Sequence, residues 1–270
     1  MYQEFYGFTR LPFERDIAPD DLFTSQPQQE MAARLTFLLR QQGLGLVTGD
    51  IGAGKSTAMR AFTARLDPNR YFVIYLSNPT VGISGLYRDI LAALHHQPPF
   101  SRPRQVAAIR AALADLAQSK RRFPLLVIDE AHLLPPHAFE QFRLLIADQM
   151  DSQSLAALVL VGQPNLRDLL RLSTNQAFFQ RLTVRYHLPP LDLQNCIAYI
   201  KHHLQLAGHH GAPLFADDAM TRIFDYTKGV PRQINLVCTM ALLAGMIDKK
   251  EVIDEAVSYT HLTLPTNREV

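Results

Sequence analysis

Gly49-Asp50-Ile51-Gly52-Ala53-Gly54-Lys55-Ser56 is the stretch whose reading decides the fold. It fits the pattern G-x-x-x-x-G-K-[ST], in which a tight glycine turn points successive backbone N–H groups at a phosphate chain. The helix that follows adds the positive end of its dipole. Gly49, Gly52 and Gly54 allow approaches that a Cβ would block. Asp50, Ile51, Ala53 and Thr57 contribute backbone to the same cradle. The pattern places Lys55 at the β and γ phosphates and the Ser56 hydroxyl on Mg²⁺.

The flanks agree with that reading. Leu44-Gly45-Leu46-Val47-Thr48 is a short apolar run suited to a buried strand, and Ser56 to Phe62 opens a helix. A second motif, Leu125-Leu126-Val127-Ile128-Asp129-Glu130, is an apolar run ending in two carboxylates. Such a run reads as a central parallel strand covered on both faces. Asp129 at its carboxyl end is expected beside Ser56, holding Mg²⁺. Glu130 is expected to take a proton from the water that attacks the γ phosphate.

The chain has 270 residues, 47% hydrophobic and 19% charged, a globular composition with room for an α/β domain and a smaller one. No apolar stretch reaches the about 18 residues of a membrane helix, and the first residues lack the pattern of a signal peptide. The two cysteines, Cys196 and Cys238, fit a reducing cytoplasm. A formal charge of +2 leaves any nucleic-acid affinity to a local patch.

Spacing predicts helices over 28–42, 83–95, 105–119 and 136–149, and strands over 71–76, 124–129, 155–161 and 185–189. Strands alternating with helices imply a parallel sheet with helices on both faces. From about 193 the pattern is helical throughout. The expected organisation is an aromatic arm over 1–27, a nucleotide-binding α/β domain over 28–190, a helical domain over 191–257 and a tail over 258–270. The tail breaks the helical pattern abruptly and reads either as translated adapter sequence rather than native chain or as a mobile C-terminal tail.

Five features in order carry a family resemblance: the phosphate loop; the acidic strand; Leu158-Val159-Leu160-Val161-Gly162-Gln163-Pro164; Phe179-Gln180-Arg181-Leu182 with Arg185; and Gly229-Val230-Pro231-Arg232-Gln233-Ile234-Asn235. The opening Phe5-Tyr6-Gly7-Phe8 with Pro12-Phe13 adds to them. Together they resemble the AAA+ ATPases of the ExeA-type and transposition-regulator (TnsC/TniB-like) group over residues 1 to 257. The resemblance implies an α/β AAA+ P-loop NTPase, a parallel sheet flanked by helices and followed by a small helical lid domain. It implies ATP and Mg²⁺ as cofactors, Gln163 as the polar sensor, and Arg232 as a lid residue touching a phosphate. Arg181 is then the arginine finger acting on a neighbouring subunit's site, with Arg185 as competitor.

For function, the resemblance implies a cytoplasmic ATPase that oligomerises as a ring or helical filament on double-stranded DNA. It would regulate transposition through a transposase and target-selection proteins, with no membrane contact. Secretion members of the group carry a membrane span and a wall-binding module, and the expectation of transposition leans on not finding them. The alternatives are an ExeA-like secretion ATPase without its membrane module, and a nucleotide-gated DNA-binding scaffold with slow hydrolysis. Three features stay open. The aromatic arm either lines an adenine pocket or packs a core. Arg102, Arg104, Arg110, Lys120, Arg121 and Arg122 stand against only Asp115 in residues 101–122, either gripping phosphates or forming a solvated face. His202, His203, His209 and His210 lack convincing companion ligands for a metal.

Overall fold

The computed structural model describes residues 2–149 and 153–254. The tail expected from residue 258 lies outside the described residues. The chain runs through α1 (Tyr2–Phe5), α2 (Gln26–Gln41), β1 (Leu44–Thr48), α3 (Lys55–Ala64), β2 (Tyr71–Leu76), α4 (Gly82–Ala93), α5 (Arg102–Gln118) and β3 (Phe123–Ile128). It continues through α6 (His137–Ile146), β4 (Ala147–Asp148), β5 (Gln153–Ser154), β6 (Ala157–Gly162), α7 (Asn165–Arg171), α8 (Gln176–Gln180) and β7 (Leu182–His187). Three helices close it: α9 (Leu193–Leu206), α10 (Asp217–Thr227) and α11 (Pro231–Ile247). Contacts divide the chain into two units. One gathers Gln26–Ile51 with Lys55–Leu188. The other gathers the described residues of Met1–Ser25, Gly52–Gly54 and Pro189–Val270.

The first unit is built on a five-stranded sheet in the order β2-β3-β6-β1-β7, and every pairing in it is parallel. Central strands must be apolar on both faces, because helices cover both. In β3, Leu126 and Ile128 enter one core, and Leu125 and Val127 enter the core on the opposite face. β6 repeats the division, with Leu158 and Leu160 on one side and Val159 and Val161 on the other. Truncating one of these side chains to alanine costs about 2–5 kcal/mol. β7 lies at the edge and alternates instead, Leu182 and Val184 buried, Thr183 and Arg185 exposed. The expected strand at 185–189 is therefore the end of a strand that starts earlier.

The helix expected over 136–149 stops at Ile146, and the chain turns into the small antiparallel pair β4–β5. A helix end leaves carbonyls without intrahelical partners. Arg110 from α5 supplies them, its Nη1 donating to the carbonyls of Leu145 at 3.0 Å and Ala147 at 2.6 Å.

The second unit has its own core, formed by Cys196, Ile200, Met220, Ile223, Ile234, Cys238 and Leu242 with their neighbours. Asp192 caps α9 by accepting from the Asn195 N–H at 2.7 Å, and Pro231 occupies the first turn of α11, where its missing N–H costs nothing. The aromatic arm belongs to this core. Phe8 and Phe13 are buried in it, and Thr9 N–H and Arg10 Nε donate to the Ala207 and Leu206 carbonyls, each at 2.8 Å. Of the two readings of the arm, core packing holds for Phe8 and Phe13. Phe13 stacks on His203, with centroids 5.3 Å apart.

Candidate functional site

The sheet order sets β1, β6 and β3 side by side, so their carboxyl ends form one rim. Thr48 pairs with Gly162, and Ile128 with Leu160. The phosphate loop leaves β1 at this rim, Asp129 and Glu130 leave β3, and Gln163 leaves β6. Ligand crevices of open α/β sheets lie outside the strands' carboxyl ends.

The loop has the conformation its glycines were expected to permit. Gly52 and Gly54 have φ of +83° and +90°, a region that side chains rarely enter. Gly49 is constrained by space instead, since a Cβ there would sit 2.7 Å from the Leu188 carbonyl oxygen. Lys55 is buried at 7% exposure, and its ammonium donates to the Gly49 and Asp50 carbonyls, both at 2.9 Å. Ser56 and Thr57 open α3 at the surface.

Asp129 is 5% exposed and held on both carboxylate oxygens. Oδ1 accepts from the Glu130 N–H at 2.8 Å, and Oδ2 accepts from the Tyr75 hydroxyl. Its own N–H donates to the Leu76 carbonyl at 2.9 Å, which fixes the end of β3 against β2. Glu130 then adopts the left-handed region at φ +49°, ending the strand. Its side chain is 43% exposed, and Oε2 lies 3.3 Å from Nδ1 of the buried His132. That approach is close enough for an ion pair when the imidazole is protonated, but it is not aligned as a hydrogen bond. Gly162 fits against the same histidine, since a Cβ there would come within 3.3 Å of the His132 N–H nitrogen.

A hydroxyl and a carboxylate are hard oxygen donors of the kind that Mg²⁺ takes. Ser56 and Asp129 therefore fit that ion, and the loop and Lys55 fit the polyphosphate it accompanies. The rim brings together Lys55, Ser56, Asp129 and Glu130, with Gln163 half-buried at the tip of β6. Tyr75 and His132 were missed from the sequence. Their roles depend on strand register and on the turn at Glu130, neither of which a motif records.

The expected arginines have distinct settings. Arg185 is engaged within its own unit, its guanidinium 4.0 Å from the centre of the Phe179 ring and donating to the Phe179 carbonyl at 2.8 Å. Arg181 follows α8 and is exposed, its N–H bonded to the Phe178 carbonyl at 3.1 Å. Arg232 opens α11, its N–H directed to the Gly52 carbonyl at 3.3 Å. A Cβ at Gly52 would meet the Arg232 Cβ at 2.9 Å. Gly229, just before, has φ +73° and lies so near the Leu191 carbonyl that only glycine fits.

The basic stretch is largely committed to its own fold. Arg102 bonds the Gln141 side chain, and Arg110 closes α6 and pairs with Asp148 at 3.1 Å. Lys120 lies 3.6 Å from Asp115. Arg122 covers the Phe72 ring at 4.9 Å. Two of the histidines have local settings. His202 Nε2 bonds the Asp21 carbonyl at 2.7 Å. His203 is held neutral, its pKa pushed down to about 4 by burial first, then by His202 and Arg10. Among the described residues, no helix is long and apolar enough to cross a membrane.

Comparison with known proteins bears on the fold. Residues 38–170 match the family described as AAA domain. General secretion pathway protein A of Aeromonas hydrophila is 35% identical over 253 residues, covering 91% of this chain and 45% of that protein. The chain thus spans less than half the length of that relative. Among solved structures, Cdc6p from Pyrobaculum aerophilum superposes with a TM-score of 0.69 at 15% identity, covering 89% of this chain and 67% of that one. The Aeropyrum pernix ORC2 protein, solved as ADPNP–ADP complexes, gives 0.69 at 14% identity over 95% of this chain and 72% of that one. The fold is that of an AAA+ P-loop domain, a parallel sheet flanked by helices with a helical lid.

Proposed function

We propose, from the premise of an AAA+ P-loop fold and an AAA-domain match over residues 38–170, that this chain is an ATPase with Mg²⁺ as cofactor, acting in a secretion pathway. The observation that supports hydrolysis is the rim itself, where Lys55 and Ser56 follow β1, and Asp129 and Glu130 follow β3, on the two sides of β6. Lys55 is a buried cation now directed at backbone carbonyls, and a phosphate oxygen is a stronger acceptor for it than either. Ser56 and Asp129 would hold Mg²⁺, which would offset the negative charge of the phosphates. Glu130, its side chain half-exposed beside the buried Asp129, accepts the proton of the attacking water. Gln163 orients that water or reads the γ phosphate. Arg232, at the start of α11, couples the lid to nucleotide state.

The secretion assignment is supported by the 35% identity to general secretion pathway protein A. It takes the place of the transposition role expected from the sequence. That expectation leaned on modules not found in this chain, and the chain covers only 45% of that relative. Buried free Cys196 and Cys238 suit a reducing cytoplasm.

Arg181, exposed after α8, is proposed as the finger completing a neighbouring subunit's site. Such head-to-tail contacts close rings or extend filaments. The test is complementation of turnover. Arg181→Ala and Lys55→Ala are each expected to be inactive alone, and mixing them restores turnover, since one supplies the loop and the other the arginine. Mixtures that co-assemble yet stay inactive overturn the finger. A wild-type chain that binds ATP without turning it over leaves a nucleotide-gated scaffold.

A further inference from the structure

Tyr75 lies on a strand face whose other residues serve packing. Tyr71 and Val73, on the same face of β2, pack against the core of Met59 and Phe62. Phenylalanine would serve that purpose at position 75, and the hydroxyl is the added chemistry. β2 pairs with β3 so that Tyr75 stands opposite Val127, two residues before Asp129. The ring is 47% exposed, and its hydroxyl donates to Asp129 Oδ2. A phenol hydroxyl has one donor, and here it is given to a carboxylate expected to ligate the cation, from a strand other than the one that carries that carboxylate.

We propose that Tyr75 is a positioning residue of the divalent-cation site, holding the Asp129 carboxylate in a fixed orientation and so setting the affinity for the cation. This inference rests on the ATPase reading above and adds to it a residue outside the motifs. Asp129 has its other oxygen tied to the Glu130 N–H, so the phenol fixes the remaining freedom of that carboxylate. Outer groups that orient metal ligands are worth about 10- to 100-fold in metal affinity.

The experiment compares wild type with Tyr75→Phe, following a fluorescent ATP analogue. Its affinity is measured in EDTA and then during titration with Mg²⁺ and with Mn²⁺. In EDTA the two proteins should agree within about twofold, because the loop and Lys55 are untouched. The cation concentration that half-completes tightening should rise about 10- to 100-fold in the variant. A melting curve checks that the half-exposed ring still packs. In an Asp129→Asn background, Tyr75→Phe should add no further shift, which a general packing defect would not reproduce. An unchanged cation midpoint overturns the inference and leaves the ATPase reading intact. A lowered midpoint also overturns it, because the hydroxyl would then compete with the cation. Failure of the wild type to bind the analogue removes the ATPase reading, and this inference with it.

Discussion

Lys55 and Arg110 both direct their donors at backbone carbonyls, in settings that give the bonds opposite meanings. Lys55 holds two carbonyls of its own loop at 2.9 Å, at the rim where the strands end. Arg110 holds the carbonyls that terminate α6, far along the sequence from itself. Under the proposed function, the first pair are substitutes that a phosphate would replace. The second are acceptors that the fold must always satisfy. A cation's function is therefore read from what its carbonyl partners would otherwise have, and not from its charge. The same lesson separates Glu130 from Asp129: neighbouring carboxylates, one half-exposed and one buried and held at both oxygens.

The largest expected effect tests that second contrast. Glu130→Gln preserves shape and removes the proton acceptor, so hydrolysis should fall about 10²- to 10⁴-fold while ATP affinity stays within about twofold. A phosphate-release assay beside equilibrium binding decides it. Hydrolysis within about twofold of wild type would dismiss Glu130 as the base.

Next in size is a buried base that must stay neutral, the reverse of Lys55. His203 has a folded pKa of about 4 against an ordinary 6.5. Between those values the unfolded chain binds more protons, so stability rises with pH there. Its contribution is complete above 6.5 and lost as pH falls toward 4. A shift of that size corresponds to about 3 kcal/mol at most. Urea midpoints from pH 7 to pH 4 should fall less steeply for His203→Phe than for wild type. Equal slopes would show that His203 is not the group being titrated.

The Lys55 and Arg110 contrast itself predicts a crossed pair of effects. Hydrogen bonds to charged groups contribute about 1.5–3 kcal/mol. Lys55→Ala should weaken ATP binding by about 10- to 100-fold with melting little changed. Arg110→Ala should do the opposite, lowering stability by about 2 kcal/mol and leaving ATP affinity alone. If both variants lose only stability, the ammonium of Lys55 is structural.

Legibility from sequence follows the same division. The runs 71–76 and 124–129 emerged as β2 and β3 nearly at their expected bounds, because each is an unbroken apolar run, β3 buried on both faces and β2 only partly buried at the edge of the sheet. α7 and α8 were not expected. At 7 and 5 residues they are too short to show a helical period. β7 was placed late, since its half-buried alternation begins at Leu182 among polar neighbours. The loop and the acidic pair were legible because each is local in sequence. Tyr75 was not, because its meaning depends on β2 lying beside β3 in a particular register.

The smallest expected effect lies at the end of α5, where the fold has left cations with the least to do. Lys120 and Asp115 are 61% and 53% exposed at 3.6 Å, and such pairs contribute about 0–1 kcal/mol. Arg121 sits in the turn after α5 at φ +52°, where its backbone rather than its charge shapes the chain. Arg122 differs, because its guanidinium covers Phe72 and reaches the Tyr71 carbonyl, so removing it would confuse packing with charge. The informative variant is thus Lys120→Gln with Arg121→Gln, leaving Arg122 in place. It should melt within about 0.5 kcal/mol of wild type, as surface substitutions do, and bind ATP equally. The same variant examines the duplex DNA expected as a partner. Each lost phosphate contact lowers the slope of log affinity against log salt by about 0.9. With Arg102 and Arg110 already engaged inside the fold, we expect that slope to stay unchanged. A drop near two units would place a DNA surface on α5 and show that Lys120 and Arg121 belong with Lys55, as cations kept for a phosphate.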